Sequence, residues 1–240
     1  MLFMYLLRGL VRFLLLWVGS LKVTGRENIP ATGPYIIAVN HLSKADPPIL
    51  LLAFPPMRLR YFAAEKWEKH WFFGPILAWS GAVFINRGEV DRRALGQAVE
   101  VLKEGGIFGL APEGTRSRVG SLIQAKEGVA YLASRAKVPI LPVGVVNTDR
   151  VGHNFSHLRR TRLEAHIGKP FLLPELADGR RAKGADLTAY TNYIMAHIAA
   201  LIPERYYGYY KDSPAVQARL RGEDPWPYCQ TARVGEEVTN

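Results

Sequence analysis

The sequence predicts an α/β fold: a mixed, mainly parallel central sheet of about seven strands, flanked by helices, with an N-terminal membrane-interface helix. Short apolar runs alternate along the chain with segments of helical spacing, as in parallel sheets with crossover helices. The composition, 48% hydrophobic and 22% charged over 240 residues, suits a folded chain with a substantial core. We expect a membrane-associating helix at 1–20, a main domain at 21–205 and a C-terminal tail at 206–240.

The first twenty residues are almost entirely apolar, apart from Arg8 and Arg12. Their uninterrupted apolar runs are far shorter than the roughly 20 residues that a helix needs to span a bilayer. The two arginines lie one turn apart on one helical face, and large apolar side chains lie elsewhere on the helix. This pattern predicts a helix in the membrane interface, with the arginines toward lipid phosphates and Trp17 at headgroup depth. The alternative is a core helix with two snorkelling arginines, and a cleaved signal peptide is not favoured.

The remaining elements follow from apolar runs and their flanking residues. Strands are predicted at residues 21–24, 35–39, 58–63, 82–85, 107–110, 140–147 and 163–167. Helices are predicted at residues 49–53, 93–104 and 126–136, and another begins with Asp186 as its N-cap. Aromatic residues crowd the stretch 67–79, which suits either core packing or the wall of a pocket for a hydrocarbon chain. After Pro203 we expect an irregular, polar tail that contains Cys229.

The formal net charge of +10 and the pI of about 9.8 indicate an anionic partner. Anionic lipid or a phosphorylated substrate is favoured over nucleic acid, because the sequence contains no nucleic-acid-binding motif. A single cysteine excludes a disulfide within the chain and a thiolate-rich metal site. His153 and His157 stand four residues apart, but no glutamate follows His153 as a zinc protease motif requires. We therefore predict no metal.

A polar segment begins where the apolar run 35–39 ends. It contains His41, whose side chain titrates near neutrality, and Asp46 five positions later. A strand-to-helix turn would bring these two side chains together, with Asp46 as N-cap and Pro47 as the first helical residue. A neutral imidazole backed by a carboxylate is the general-base part of a catalytic triad without its nucleophile, so the base would activate a substrate hydroxyl. The alternative is that Asp46 only caps a helix and His41 is a structural turn residue.

Two further polar clusters follow short apolar strands. Asn86 and Arg87 follow the strand predicted at 82–85, and the cluster 113–116 follows the strand predicted at 107–110. If these strands are parallel neighbours, both clusters meet the histidine at one edge of the sheet, where α/β proteins bind ligands.

The chemistry of these clusters indicates an anion site. Arg87 and Arg116 supply guanidinium groups that match phosphate oxygens, and Gly114 permits close approach of the backbone. Lys126 adds a further cation. Glu113 either pairs with one arginine in a structural ion network or orients that arginine for a phosphate.

The order of these residues resembles that of the PlsC-type glycerolipid acyltransferases, and most of all the 1-acyl-sn-glycerol-3-phosphate acyltransferases. Four blocks carry the resemblance: Asn-His-x4-Asp at 40–46, Gly-x-x-Phe-Ile-x-Arg at 81–87, Pro-Glu-Gly-Thr-Arg-Ser at 112–117 and Val-Pro-Ile-x-Pro-Val at 138–143. Ala111 and Ala125 depart from the family pattern, which commonly has Phe at the first position and an aromatic residue at the second. These departures concern the shape of the acceptor pocket and not the chemistry.

The resemblance implies that residues 21–205 form an acyltransferase domain. It would transfer a fatty acyl group from acyl-CoA or acyl carrier protein to lysophosphatidic acid, with His41 as general base and Asp46 fixing its tautomer. The residues implied in binding the acceptor phosphate are Arg87, Glu113, Gly114, Thr115, Arg116 and Lys126. Direct attack is expected, because nothing around Ser43 resembles a Gly-x-Ser-x-Gly nucleophile elbow. No cofactor is implied, since the acyl thioester is a co-substrate.

The expected setting is the cytoplasmic face of the cell membrane, with the protein bound peripherally or monotopically to the phospholipid surface and without a nucleic acid partner. Within the family, glycerol-3-phosphate or another lysophospholipid is the alternative acceptor. Two alternatives belong to other classes: an acyl-thioester hydrolase, and a phosphate-binding peripheral membrane protein without catalysis. The presence of both His41 and Asp46 speaks against the second of these.

Overall fold

The computed structural model of the protein describes residues 2–85, 92–176 and 179–230. At its centre is a seven-stranded, mainly parallel sheet flanked by helices, which confirms the predicted fold class. The strands are β1 (Gly19–Thr24), β2 (Tyr35–Val39), β3 (Leu59–Ala64), β4 (Ala82–Ile85), β5 (Ile107–Leu110), β6 (Ile140–Val146) and β7 (Thr161–Ile167). The helices are α1 (Leu2–Val18), α2 (Asp46–Ala53), α3 (Phe73–Ser80), α4 (Arg92–Lys103), α5 (Gly128–Ala136), α6 (Val151–Ser156), α7 (Ala185–Ala199), α8 (Pro214–Leu220) and α9 (Trp226–Cys229).

The strands lie in the order β1-β7-β6-β2-β5-β3-β4. Neighbouring strands pair in parallel except β6 and β7, which are antiparallel, so β1 and β7 run against the other strands. Strands β2 to β6 therefore all end at one edge of the sheet, which we call the carboxyl edge. The strand ends that precede His41 and Glu113 both lie at this edge, where ligands bind in α/β proteins.

The crossover connections divide the helices between the two faces of the sheet. Because β2, β3 and β4 follow one another in one direction across the sheet, right-handed crossovers place α2 and α3 on the same face. The chain then reverses its direction, so α4 and α5 lie on the opposite face. The core agrees: Ile37 packs in one cluster with Ile49 of α2, whereas Ile36 packs in another with side chains of α4, α5 and α7. Every residue of β2 and β6 is buried, because helices cover both faces.

Two helix N-caps differ from the predicted ones by one or two residues. The N-cap of α2 is Ala45, so the expectation that Asp46 occupies this position is wrong. The N-cap of α7 is Gly184 rather than Asp186. In both helices the aspartate carboxylate accepts the backbone N–H of the residue three positions before it, at 2.9 and 3.0 Å. Each aspartate therefore fixes the entry to its helix from the first turn.

The segment after Pro203 is not the irregular, polar tail that the sequence predicts. It contains two single-turn helical segments followed by α8 and α9, and it packs against the same core cluster as α5 and α7. Tyr206 and Tyr210 are no more than 2% exposed. Cys229 is buried as well, and burial raises the pKa of its thiol to about 12. Residues 206–230 therefore belong to the folded domain.

Helix α1 packs beside α2 through Arg8. The guanidinium of Arg8 donates hydrogen bonds to the carbonyl oxygens of Leu51 and Phe54, which the C-terminal end of α2 leaves without intrahelical partners. The expectation that Arg8 points toward lipid phosphates is therefore wrong, whereas Arg12 is exposed. Over the described residues, no helix combines the length and the apolar character that crossing a bilayer requires.

Candidate active site

His41 and Asp46 form a hydrogen-bonded pair at the carboxyl edge. The Nδ1 atom of His41 lies 2.6 Å from Oδ2 of Asp46. The Asp46 side chain is 2% exposed and that of His41 is 20% exposed, so the carboxylate is shielded while the imidazole reaches the surface. Because the carboxylate accepts the Nδ1 proton, a neutral imidazole keeps its lone pair on Nε2. No described residue is hydrogen-bonded to Nε2, so this atom is available to a ligand.

The local sequence explains why the chain turns at this point. Asn40 is fully buried, and its amide accepts the N–H of Val145 at 2.7 Å and donates to the carbonyl of Val145 at 3.0 Å. This side chain continues the pairing of β2 with β6 after the backbone of β2 has left the sheet. The turn then closes on Asp46, whose Oδ2 also accepts the N–H of Ser43 at 2.9 Å. We call residues 40–46 the His41 turn.

The backbone of His41 is bound on both sides by a second loop. Its N–H donates to Oε1 of Glu113 at 2.8 Å, and its carbonyl accepts the N–H of Ser117 at 2.8 Å. The other carboxylate oxygen, Oε2 of Glu113, accepts the N–H of Ile123 at 3.0 Å. Glu113 therefore connects the His41 turn to the loop between β5 and α5, which we call the 113–126 segment.

This role differs from the role expected for Glu113. Within the described part of the chain, its carboxylate binds backbone N–H groups and no arginine, so Arg116 does not form the expected ion pair; Arg87, the other candidate, lies outside the described residues. Burial raises the pKa of this carboxyl to about 7, although the N–H donors of His41 and Ile123 act to lower it. Glu113 therefore links the backbone of the His41 turn to that of the 113–126 segment through its two carboxylate oxygens.

The cationic side chains of the 113–126 segment lie beside this bridge. Gly114 has a φ of +67°, and a Cβ atom there would approach Cδ of Lys126 to 3.0 Å, so the lysine stem lies over the glycine. The N–H of Lys126 donates to the carbonyl of Pro112 at 2.8 Å, which closes the segment on itself. Thr115 is exposed and Arg116 is half-buried. Among the described residues, neither Arg116 nor Lys126 has an ion-pair partner.

One predicted residue, Arg87, lies outside the described residues, so its place in the anion site stays a prediction. The nearest described residue before it, Ile85, pairs with Ala64 at the end of β3, at the carboxyl edge. Among the residues that the structure describes, no three histidine, cysteine or carboxylate side chains come close enough together to hold a metal ion.

Three tyrosines that the sequence analysis did not identify as site residues form hydrogen bonds with the 113–126 segment. They are Tyr206, Tyr209 and Tyr210, and we call them the tyrosine layer. The hydroxyl of Tyr210 accepts the N–H of Ala125 at 3.0 Å, and burial raises the pKa of this hydroxyl. The backbone of Leu122 donates to the carbonyl of Tyr206 at 2.8 Å and accepts the N–H of Tyr209 at 3.0 Å. The density of tyrosines is the one signal of this layer in the sequence, because no local motif connects residues 85 positions apart.

These features place a histidine–aspartate pair beside cationic side chains at one edge of an α/β sheet, and the chain belongs to the acyltransferase family. The model of that family, described as Acyltransferase, matches residues 20–146. The matched range includes the His41 turn and the whole 113–126 segment, whereas the tyrosine layer lies outside it.

Relatives and a solved structure confirm the resemblance to PlsC-type acyltransferases. A 1-acyl-sn-glycerol-3-phosphate acyltransferase of Borreliella burgdorferi is 34% identical over 139 residues, which cover 56% of this chain and 55% of that protein. One of Bacillus subtilis is 27% identical over 152 residues, covering 63% and 74%. The crystal structure of PlsC, the 1-acyl-sn-glycerophosphate (LPA) acyltransferase from Thermotoga maritima, matches with a TM-score of 0.60 and 27% identity, covering 70% and 68%. The match to the Borreliella burgdorferi protein thus spans only about half of that protein's length.

Proposed function

We propose that the protein transfers a fatty acyl group from acyl-CoA or acyl carrier protein to the free hydroxyl of lysophosphatidic acid, giving phosphatidic acid. The observation that carries the proposal is the junction of the His41–Asp46 pair with the 113–126 segment, through the 2.8 Å bond from His41 N–H to Glu113. A base alone suits many hydrolases, and cations alone suit any phosphate-binding protein. A base beside cations suits an acceptor that carries both a hydroxyl and a phosphate. The names of the relatives support this acceptor.

In the proposed reaction, Nε2 of His41 takes the proton of the acceptor hydroxyl as the hydroxyl oxygen attacks the thioester carbonyl carbon. Asp46 holds the Nδ1 proton and stabilises the imidazolium that forms. The tetrahedral intermediate then breaks its carbon–sulfur bond, and the imidazolium returns the proton to the leaving thiolate. The products are the acylated acceptor and a free thiol.

The acceptor phosphate is bound in this proposal by Arg116 and Lys126, together with Arg87. The exposed residues Gly114 and Thr115 supply a backbone and a hydroxyl as further polar groups of the segment. Guanidinium and ammonium groups form charge-assisted hydrogen bonds to phosphate oxygens, and these are about twice as strong as neutral ones. The same site therefore fixes the acceptor and selects for its phosphate.

Direct attack on the thioester is favoured over an acyl-enzyme. The hydroxyl oxygen of Ser43 accepts the N–H of Ala45 at 2.9 Å. In the described part of the chain, no hydrogen bond joins Ser43 to the imidazole of His41, as activation of a serine nucleophile would require.

The proposal places the protein on the cytoplasmic face of the membrane, with α1 in the interface. The large apolar side chains on the outward side of α1 are all more than half exposed: Leu2, Leu6, Leu10, Phe13 and Trp17. Their spacing of three or four residues sets them along one stripe of the helix, which we call the α1 stripe. Such a stripe is typical of helices that lie in the headgroup region.

The activity is tested by incubating purified protein with labelled acyl-CoA or acyl carrier protein and a panel of acceptors, and by identifying the products by mass. We expect phosphatidic acid from lysophosphatidic acid and little product from monoacylglycerol, which lacks the phosphate. Release of free fatty acid and thiol with every acceptor would identify a hydrolase. Ester formation with glycerol-3-phosphate alone would change the acceptor, and an unconsumed thioester would contradict catalysis.

Membrane binding by α1 is tested with the variant Leu6→Asp/Phe13→Asp in liposome flotation. Substitution tests the α1 stripe more specifically than deletion of the helix does, because deletion would also remove Arg8 and Leu15, which contact the folded domain. We expect the charged variant to remain in the soluble fraction. Flotation equal to that of the wild type would contradict an interfacial α1.

A further inference from the structure

A second exposed apolar surface lies in and just before α3. Trp71 and Trp79 are 85% and 73% exposed, and Phe72 is 49% exposed. We call these three side chains the α3 patch. Core packing, one of the two interpretations of the stretch 67–79, is therefore wrong for them. Large apolar side chains grouped on a surface mark an interaction site.

The α3 patch contacts α1 through Trp79. The rings of Phe3 and Trp79 meet edge to face, with their centroids 5.4 Å apart. The right-handed crossovers place α3 on the same face of the sheet as α2, and α1 is bound to the end of α2 through Arg8. The α3 patch and the α1 stripe therefore lie on one side of the molecule.

The chemistry of this side fits a lipid surface. Tryptophan is enriched at headgroup depth, because its ring is apolar and its N–H is polar. Arg12, on the same helix as the α1 stripe, is exposed. An exposed arginine beside an apolar surface, in a chain of net charge +10, attracts anionic lipid.

We propose that the α3 patch and the α1 stripe dock together on a bilayer that contains anionic lipid, so that two anchors hold the protein. This inference rests on the proposed membrane association. Residues 65–72 directly follow the carboxyl end of β3, so the second anchor begins at the edge of the sheet that carries His41. Docking through both anchors holds that edge beside the membrane, where a lysophospholipid presents its phosphate and hydroxyl.

The test compares the full chain carrying Trp71→Ala/Trp79→Ala with the wild type, in flotation with phosphatidylcholine vesicles with and without phosphatidylglycerol. The matched control is Leu172→Ala/Leu220→Ala: these residues are 60% and 46% exposed, Leu220 ends α8, and Leu172 follows Phe171, which packs against Tyr193 of α7. We expect partitioning of the tryptophan variant into anionic vesicles to weaken roughly tenfold or more, and that of the control to change less than about twofold.

The outcomes separate this inference from the proposed function. Wild-type partitioning of the tryptophan variant would overturn the second anchor, and release of Leu6→Asp/Phe13→Asp in the same experiment would leave α1 as the anchor. Equal weakening in the control would also overturn it. Sedimentation is measured in parallel, because a wild-type dimer that dissociates in the tryptophan variant would assign the patch to a second copy of the chain. Flotation needs no turnover, so failure of the acyl-transfer proposal leaves this test intact.

Discussion

The His41 turn and the 113–126 segment lie side by side at the carboxyl edge, but they are built differently. In the turn the side chains are bound: Asp46 is 2% exposed and accepts two hydrogen bonds, one of them from the imidazole of His41. In the 113–126 segment the backbone is bound, through Glu113 and the tyrosine layer. The cationic ends of Arg116 and Lys126, by contrast, have no ion-pair partner among the described residues.

This difference separates two tasks. A general base works in one tautomer and one orientation, so it needs partners that hold both. A cation that binds a phosphate works best when no protein carboxylate neutralises it first, because the ligand would have to displace that carboxylate. The orientation of Glu113 toward backbone N–H groups meets this requirement, since it leaves the neighbouring Arg116 for a ligand.

The largest expected effect comes from removing the base. His41→Ala should lower kcat by roughly 10²- to 10⁴-fold through the loss of proton transfer. The KM for lysophosphatidic acid should change little, because the cations remain. Steady-state kinetics of the purified variant check this, with His153→Ala, an exposed histidine of α6, as control. Near-normal turnover of His41→Ala would remove His41 from the mechanism.

A loss within the same range, about 10²- to 10⁴-fold in kcat, is expected for Asp46→Asn. Nδ1 of His41 and the N–H of Ser43 both bind the same carboxylate oxygen, Oδ2. An amide oxygen at this place accepts both bonds but carries no negative charge to stabilise the imidazolium, whereas an NH₂ group there donates to Nδ1, so the imidazole proton moves to Nε2 and that atom no longer accepts a proton. The control is Asp186→Asn, which removes an exposed ion pair with Arg180 and should leave kcat unchanged. Equal turnover of the two variants would contradict the tautomer role.

Glu113→Gln tests the bridge between the two regions through the pH dependence of stability. The folded pKa of about 7 lies above the ordinary 4.5, so between these values the folded protein keeps a proton that the unfolded chain releases. This contribution to stability is present below pH 4.5 and is lost as pH rises through 7. The wild type should therefore lose on the order of 1 to 3 kcal/mol relative to Glu113→Gln across this window.

Urea unfolding at several pH values measures that loss. The exposed Glu100→Gln serves as control, because its carboxylate lies at the surface beside Lys103. A stability difference between the wild type and Glu113→Gln that is independent of pH would show that Glu113 keeps an ordinary pKa.

The smallest effect is expected from a change in the tyrosine layer, which binds the backbone of the 113–126 segment. Tyr210→Phe leaves the N–H of Ala125 without its acceptor, which costs about 1 kcal/mol of stability. Because Lys126 follows Ala125, the KM for lysophosphatidic acid should rise a few-fold while the KM for the acyl donor stays constant. In the described part of the chain the Tyr207 hydroxyl has no hydrogen bond, so Tyr207→Phe is the control. A change of kcat alone in Tyr210→Phe would contradict a role in placing Lys126.

The fold class and the His41–Asp46 pair could be predicted because they depend on short stretches of sequence. The alternation of strands and helices is local, and five residues separate the paired side chains. The contact of Glu113 with His41 could not be predicted, because it joins residues 72 positions apart and depends on the pairing of β2 with β5. The same holds for Tyr210 and Ala125, which are 85 positions apart.

The prediction that Arg8 points toward lipid phosphates was wrong for a different reason. Helix α1 carries apolar side chains on both of its sides, so helical spacing alone does not determine which side meets the fold. The carbonyl groups at the end of α2 decide it, because they bind the guanidinium of Arg8 and turn the α1 stripe outward.

The central claim is that His41 takes the proton of an acceptor whose phosphate is bound by the 113–126 segment. The most direct measurement is kcat/KM for lysophosphatidic acid and for monoacylglycerol in the wild type, His41→Ala and Arg116→Ala. We expect His41→Ala to lower both values by a similar factor, and Arg116→Ala to lower the value for lysophosphatidic acid roughly 10- to 100-fold with little change for monoacylglycerol. An equal loss for both acceptors in Arg116→Ala, or a phosphate-selective loss in His41→Ala, would contradict the claim.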